Sequence, residues 1–219
     1  QAVLRNPLAE SYTIGISGGA SLGVCTGIVL GLPSAAPLFA FLGAMLSAGL
    51  TIAAGTRKRL SNPTLVLAGV ILNFIFSSLV LFILAVSSRQ QFHETFFWML
   101  GDLSAPPREV LGPAAVFVPL AAGAVFAAAR RLDLLVLGDD KAATLGLPVE
   151  RSKKLLLVLA ALLTGFCVSL AGMIGFVGLV VPHAVRLVCG STHRRVLPAS
   201  FLVGGAFLIL CDAVRRTLV

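Results

Sequence analysis

The sequence predicts an all-α membrane protein, a polytopic helical bundle. Of its 219 residues, 58% are hydrophobic and 12% charged, against roughly 45–50% and 25% in an average soluble domain. The apolar residues fall in long uncharged runs that no water-soluble core of this size needs. Between the runs the basic residues come in short bursts. The whole chain, 1–219, reads as a single transmembrane domain.

Charge sets the order of the elements. No residue from Ser11 to Thr56 is charged, about twice the ~20 residues that span a bilayer, and Pro33 and Pro37 break the run. This predicts two spans, 13–32 and 37–56. Arg57, Lys58 and Arg59 close the pair on the side where Arg5 opened it, the basic and therefore cytoplasmic side. A third span, 64–87, leads to a mixed-charge segment outside, in which Phe92 to Leu103 reads as an amphipathic helix, 92–103, with its Phe, Trp and Leu side in the interface. The fourth span, 110–129, returns to Arg130 and Arg131. A cytoplasmic loop, 134–153, follows. The uncharged run from Leu155 to Val185 is long for one helix, and Gly172 and Gly175 bracket a turn, giving spans 154–171 and 175–189, the second short and bent at Pro182. The last span, 197–214, ends outside at Arg215 and Arg216. All but Arg89, Arg108, Arg215 and Arg216 of the 17 Lys and Arg residues then lie on one side.

Other classes are excluded on composition. The net charge is +8, but aromatics are few and the basic residues form no stripe, so no nucleic-acid partner is expected. Cys25, Cys167, Cys189 and Cys211 lack paired spacing and lie in or beside apolar runs, which predicts buried thiols, with neither a metal site nor disulfides. The first residue is Gln1, with no signal-type segment behind it, so the sequence is expected to begin inside a longer protein.

Gly15, Gly19, Gly23, Gly27 and Gly31 recur at every fourth position. In lipid, such a ladder lets helix backbones approach closely, which is a main source of association energy. A four-residue step drifts around a 3.6-residue helix, so the ladder could serve two neighbours. Polar groups within spans are few. Asn73 and Ser77 are one turn apart and either line a path or hydrogen-bond a neighbouring helix. His183, after Pro182, is expected to satisfy backbone carbonyls freed at the kink rather than to bind metal. Asp212 is placed to pair with Arg215 or Arg216, three and four residues later.

There is no HExxH, GxSxG or phosphate-binding loop, so no catalytic residue is expected and any power for transport comes from elsewhere. An ion-gradient-driven secondary transporter would want carboxylates at the midplane, and the spans offer none except the peripheral Asp212. An intramembrane enzyme using His183, His193 and Asp212 would need groups that the topology puts on opposite sides.

Three stretches resemble the FecCD-type permeases of importers for siderophore iron, haem and cobalamin. They are RNPLAESYTIGISGGASLG (Arg5 to Gly23); LAGVILNFIFSSL (Leu67 to Leu79), continuing to FFWMLGDLS (Phe96 to Ser104); and LGDDKAATLGLPV (Leu137 to Val149) with AGMIGFVGLVVPHAVRL, HRRVLPAS and LCDAVRRTL (Ala171 to Leu218). The resemblance covers the chain in the family's order. It implies a ten-helix type II ABC importer permease fold, of which seven complete spans are present and the first helix, nearly all of the second and the last are missing. It also implies a second permease subunit, two ATPase subunits that use ATP while this chain binds no cofactor, an extracytoplasmic substrate-binding protein, and a bacterial cytoplasmic (inner) membrane. Gly138 to Gly146 matches the family's ATPase-coupling helices: Asp139 and Asp140 near a helix start, Lys141, small Ala142 and Ala143 for close contact, and Gly146 ending the turn. Arg216, with Arg215 beside it, matches a position that docks the binding protein; snorkelling to lipid headgroups is the alternative. Asn73 and Ser77 lie on the helix that borders the family's translocation pathway.

Overall fold

The computed structural model describes residues 1–10, 12–56, 61–103 and 108–218. Among these there is no strand, and the α-helices are α1 (Ile16–Val29), α2 (Ala36–Thr56), α3 (Asn62–Val86), α4 (Arg89–Leu100), α5 (Arg108–Ala127), α6 (Ala129–Val136), α7 (Asp139–Thr144), α8 (Val149–Ala171), α9 (Val177–Cys189) and α10 (His193–Leu218). The basic run Arg57, Lys58 and Arg59 lies outside the described residues. Five helical segments are long and apolar enough to cross a membrane, and α1 and α9 are shorter apolar helices.

Several helices outlast the apolar runs. α8 begins at Val149 and carries Glu150, Arg151, Lys153 and Lys154 in its first turns, and α10 runs from His193 to Leu218. Charges mark where lipid ends, whereas a helix stops only where its backbone bonds do. The expected loop 134–153 is accordingly the end of α6, all of α7 and the base of α8. In the opposite direction, α1 is shorter than its apolar run. Its fourteen residues extend about 21 Å, because Gly15 at φ +79° breaks the helix and Tyr12–Ile14 form a 3-10 turn.

α2 is the centre of the bundle. Its buried face is Ala36, Ala40, Ala44 and Ala48, set against Ile16, Ala20, Val24 and Ile28 of α1 and Ala161 and Val168 of α8. The glycine ladder stands beside this stripe and serves two neighbours. Gly19 and Gly43 of α2 face each other so closely that a Cβ on either would run into the other's carbonyl oxygen, and a Cβ on Gly23 would strike the Phe39 carbonyl. Gly18 and Gly15 face α3, where they meet Asn73 and Gly69. The irregular backbone before α1 needs partners in a medium that supplies none. Ser47 donates to the Gly15 carbonyl at 2.7 Å and Thr51 to the Ile14 carbonyl at 3.0 Å.

α4 begins three residues before the expected amphipathic helix and turns a different face inward. Ser88 and Gln91 form a capping box at its start. From there it lies alongside α1: Gln91 reaches the Val29 carbonyl, the buried Thr95 stands by Cys25, and Trp98 packs into the central cluster with Met173. Phe92, Phe96, Phe97 and Leu100 remain exposed, so the tryptophan leaves the interfacial side that its apolar neighbours keep. The end of α4 abuts the turn after α8. Asp102 donates its backbone N–H to the Ala171 carbonyl at 2.9 Å, and a side chain at Gly172 would collide with the Trp98 carbonyl.

Candidate functional site

The candidate site residues fall at the two ends of the bundle and on the seam between α1 and α3. At one end, α7 is a six-residue helix set between two glycines. Gly138 opens it at φ +111° and Gly146 closes it at φ +81°, conformations that a side chain would strain. The amides of Leu147 and Gly146 return to the Ala142 and Ala143 carbonyls at 3.0 and 2.9 Å, a Schellman closure that satisfies the last carbonyls. Ala142 is buried against the chain itself, while Asp140, Lys141, Ala143, Thr144 and Leu145 are exposed. Of the two alanines read as small residues for an outside contact, only Ala143 is available for one.

Asp139 also turns inward. Its Oδ2 is 2.6 Å from the Lys153 ammonium, which donates at 2.7 Å to the Asn62 side-chain oxygen. The Lys153 side chain is 1% exposed and that of Asp139 37%. Burying an ammonium is unfavourable unless its donors are taken up, and here acceptors from α7 and α3 take them. Sequence reasoning counted Lys153 among the basic residues of the cytoplasmic loop and missed this joint. The signal was the spacing: Lys153, Leu157, Ala161, Gly165 and Val168 form one buried stripe along α8. At the same end, Asp133 of α6 accepts from the His193 backbone N–H at 2.9 Å and bonds its Nδ1 at 2.6 Å, holding the first turn of α10.

Pro182 lies inside α9 and, lacking an N–H, leaves the Gly178 carbonyl without its helical donor. That carbonyl accepts from the Gln1 side-chain amide at 3.1 Å. His183, expected in this role, lies instead on the exposed face. Among the described residues no group of three metal-ligating side chains occurs.

On the seam, Asn73 and Ser77 separate. The Asn73 amide oxygen lies against Gly18, buried and without a hydrogen-bond partner, so Asn73 is wedged between helices. Ser77, one turn further along α3, is exposed. At the other end of the bundle, Arg216 pairs with Asp212 at 2.7 Å, and Arg215 pairs with Asp212 and Asp102, each at 3.1 Å. Arg215 thereby links α10 to the junction of α4 and α8, while Arg216 pairs with Asp212 of its own helix and is about half exposed.

This arrangement has comparable forms among known proteins. A family model for the FecCD transport family matches residues 1–219. The chain belongs to the FecCD transport family. Within the family it is 38% identical to the cobalamin import system permease protein BtuC of Halobacterium salinarum, over 99% of this chain and 59% of that protein. It is 34% identical to the hemin transport system permease protein HmuU of Yersinia pestis, over 100% of this chain and 68% of the relative. A solved metal-chelate type ABC transporter in an inward-facing conformation superposes with a TM-score of 0.94 at 29% identity, covering 100% of this chain and 71% of that one. The chain thus spans less than two thirds of the Halobacterium protein it matches. With these FecCD relatives and its apolar helices, it is a membrane protein.

Proposed function

We propose that this chain is the transmembrane permease of an ATP-binding-cassette importer that moves cobalamin, haem or iron-siderophore chelates inward across a bacterial cytoplasmic membrane. It performs no bond chemistry: two ATPase subunits supply the energy, a second permease subunit completes the pathway, and an extracytoplasmic binding protein delivers the cargo. The observation that carries the reading is the division of roles between the two ends. One end presents a short glycine-bounded helix whose exposed surface is Asp140, Lys141, Ala143, Thr144 and Leu145, fit for a groove on an ATPase. The other end carries Arg215 and Arg216, each about half exposed, which suits them to a docking partner. Ser77, exposed on α3, is the pathway candidate of the pair; Asn73 supports the helix that carries it.

The test is uptake into proteoliposomes of cyanocobalamin, haemin and a ferric hydroxamate, with and without ATP and the cognate ATPase. The expected result is accumulation of one chelate only when ATP and the ATPase are present. Accumulation driven by a proton or sodium gradient without the ATPase would identify a secondary transporter and overturn the proposal.

A further inference from the structure

We propose that Lys153 is a mechanical joint that makes the ATPase-facing helix α7 and the pathway-side helix α3 move as a unit, through Asp139 on one arm and Asn62 on the other. The inference deepens the reading of α7 as the ATPase-coupling element and rests on it.

Three elements meet at one ammonium. Asp139 is the first residue of α7, Asn62 the first of α3, and Lys153 lies in the second turn of α8. Their bonds, 2.6 Å to Asp139 and 2.7 Å to Asn62, are short charge-assisted contacts of the stronger kind. The ammonium is a donor shared by Asp139 and Asn62, so these acceptors stay close together as long as both bonds hold. One turn along α8, Leu157 packs with Leu65 of α3 and Ile52 of α2 in an apolar cluster. This roof covers the Lys153 side chain, which is 1% exposed, and strengthens its bonds.

The joint matters because these helices otherwise have different neighbours. α7 packs chiefly on α6 and α8, and α3 chiefly on α1 and α2. A displacement imposed on the exposed face of α7 is carried through Asp139 to Lys153, and from Lys153 through Asn62 to the foot of α3. Pro63, next to Asn62, fixes the backbone as it enters the helix, so a pull on Asn62 is a pull on α3 rather than on a loose end. The two arms differ in strength. The ion pair holds α7 to α8, and the neutral amide of Asn62 is the weaker bond, making it the arm to cut in an experiment.

The assembled transporter is reconstituted with its ATPase and binding protein, and the chelate moved per ATP hydrolysed is measured together with ATPase-subunit binding and thermal unfolding. The probe is whichever of cyanocobalamin, haemin and a ferric hydroxamate the wild-type protein accumulates. Asn62→Ala is expected to retain ATPase binding while chelate moved per ATP falls about tenfold, the factor for losing one bond to a charged group. Asn62→Asp keeps an acceptor in place and is expected to restore most of it. A role confined to stability would lower the unfolding temperature of Asn62→Ala and leave chelate per ATP at the wild-type value, which overturns the joint. Asp140→Arg, on the exposed face of α7, separates the two levels. If it weakens ATPase binding while Asn62→Ala transports normally, the joint alone fails; if it leaves ATPase binding unchanged, the coupling reading fails and the joint with it.

Discussion

Replacing Gly43 by alanine tests whether backbone proximity, rather than side-chain bulk, holds the centre of this bundle. A Cβ at Gly43 would fall on the Gly19 carbonyl oxygen, 3.0 Å from that carbonyl carbon and 3.2 Å from the Gly23 Cα. An ordinary carbon contact needs about 3.5 Å or more, so α1 and α2 must part by about an ångström along a crossing with no flexible side chain to give way. Parting also loosens the alanine stripe of α2 against Ile16, Ala20, Val24 and Ile28. Overpacking of this sort costs about 1–3 kcal/mol, and the upper half of that range applies because both obstacles are backbone. Alanine's better helix propensity returns up to about 1 kcal/mol, leaving a net loss of about 1–2 kcal/mol, or a fall in unfolding temperature of about 2–8 °C for a chain of this size. Cys25, fully buried in α1, is a reporter once Cys167, Cys189 and Cys211 are replaced by serine: its reaction with a fluorogenic maleimide during heating in detergent marks the opening of this core. Gly49→Ala, in the same helix with nothing within 4 Å of the added methyl, is the control and should unfold no earlier than the parent. Equal unfolding temperatures for Gly43→Ala and Gly49→Ala would refute the argument.

The buried joint predicts an asymmetry in the same assay. Asp139→Ala leaves a 1%-exposed ammonium with its ion-pair acceptor gone and should cost about 3 kcal/mol, whereas Lys153→Met leaves an aspartate whose side chain is 37% exposed and should cost about half as much; the reverse order would contradict the burial argument. Asp133→Ala removes the acceptor for both the backbone and the ring of His193 and should cost about 1–2 kcal/mol, as loss of a helix cap does; an unfolding temperature unchanged from the parent would show that α10 does not need it. Arg216→Glu should weaken binding-protein docking about tenfold at low ionic strength, with the difference shrinking as salt is added. The i,i+4 pair with Asp212 is worth only about 0.3–0.5 kcal/mol and yields readily to a partner, so docking that is insensitive to this charge reversal would remove Arg216 from the interface.

The helical class was legible in the sequence because it follows from a single-residue property, the absence of charge over long apolar runs. The intrahelical pairing of Asp212 with Arg215 and Arg216 was legible for a similar reason, since it depends only on spacing along one helix. What the sequence hid were the partners that tertiary structure chooses. Asp139 looked available beside Asp140, yet one points to Lys153 and the other outward, because the two differ by about 100° around a helix. Asn73 and Ser77, one turn apart, were read together, and the sequence could not say that Asn73 lies against Gly18 while Ser77 is exposed. Trp98 was placed in the interface with its aromatic neighbours, and it left them because α4 lies along α1 and needs a large side chain to fill the space beside Met173. His183 lost its expected part to Gln1, which lies far away in sequence and no local pattern could have indicated.

Two kinds of helix association coexist in this chain, and they divide it. α1, α2, α3 and α8 meet through glycines, alanines and a few hydroxyl-to-carbonyl bonds, contacts that depend on distance and vanish steeply when helices part. The α9–α10 hairpin has its own small cluster of Val181, Val185 and Val196. Besides the packing of α10 on α5 and α6, where Leu197 meets Leu132 and Leu135, it is tied to the rest by directional polar bonds: Asp133 to His193, Gln1 to the Gly178 carbonyl and to Arg186, Arg215 to Asp102. Such bonds tolerate exchange of one acceptor for another, or for water at the bundle ends, at a net change of about 1 kcal/mol, whereas an opened glycine seam in lipid finds no substitute partner. The rigid part of the molecule is therefore the one held by close backbone approach. The foot of α3, where Asn62 meets Lys153, is the place where the glycine-packed block is itself held by an exchangeable bond.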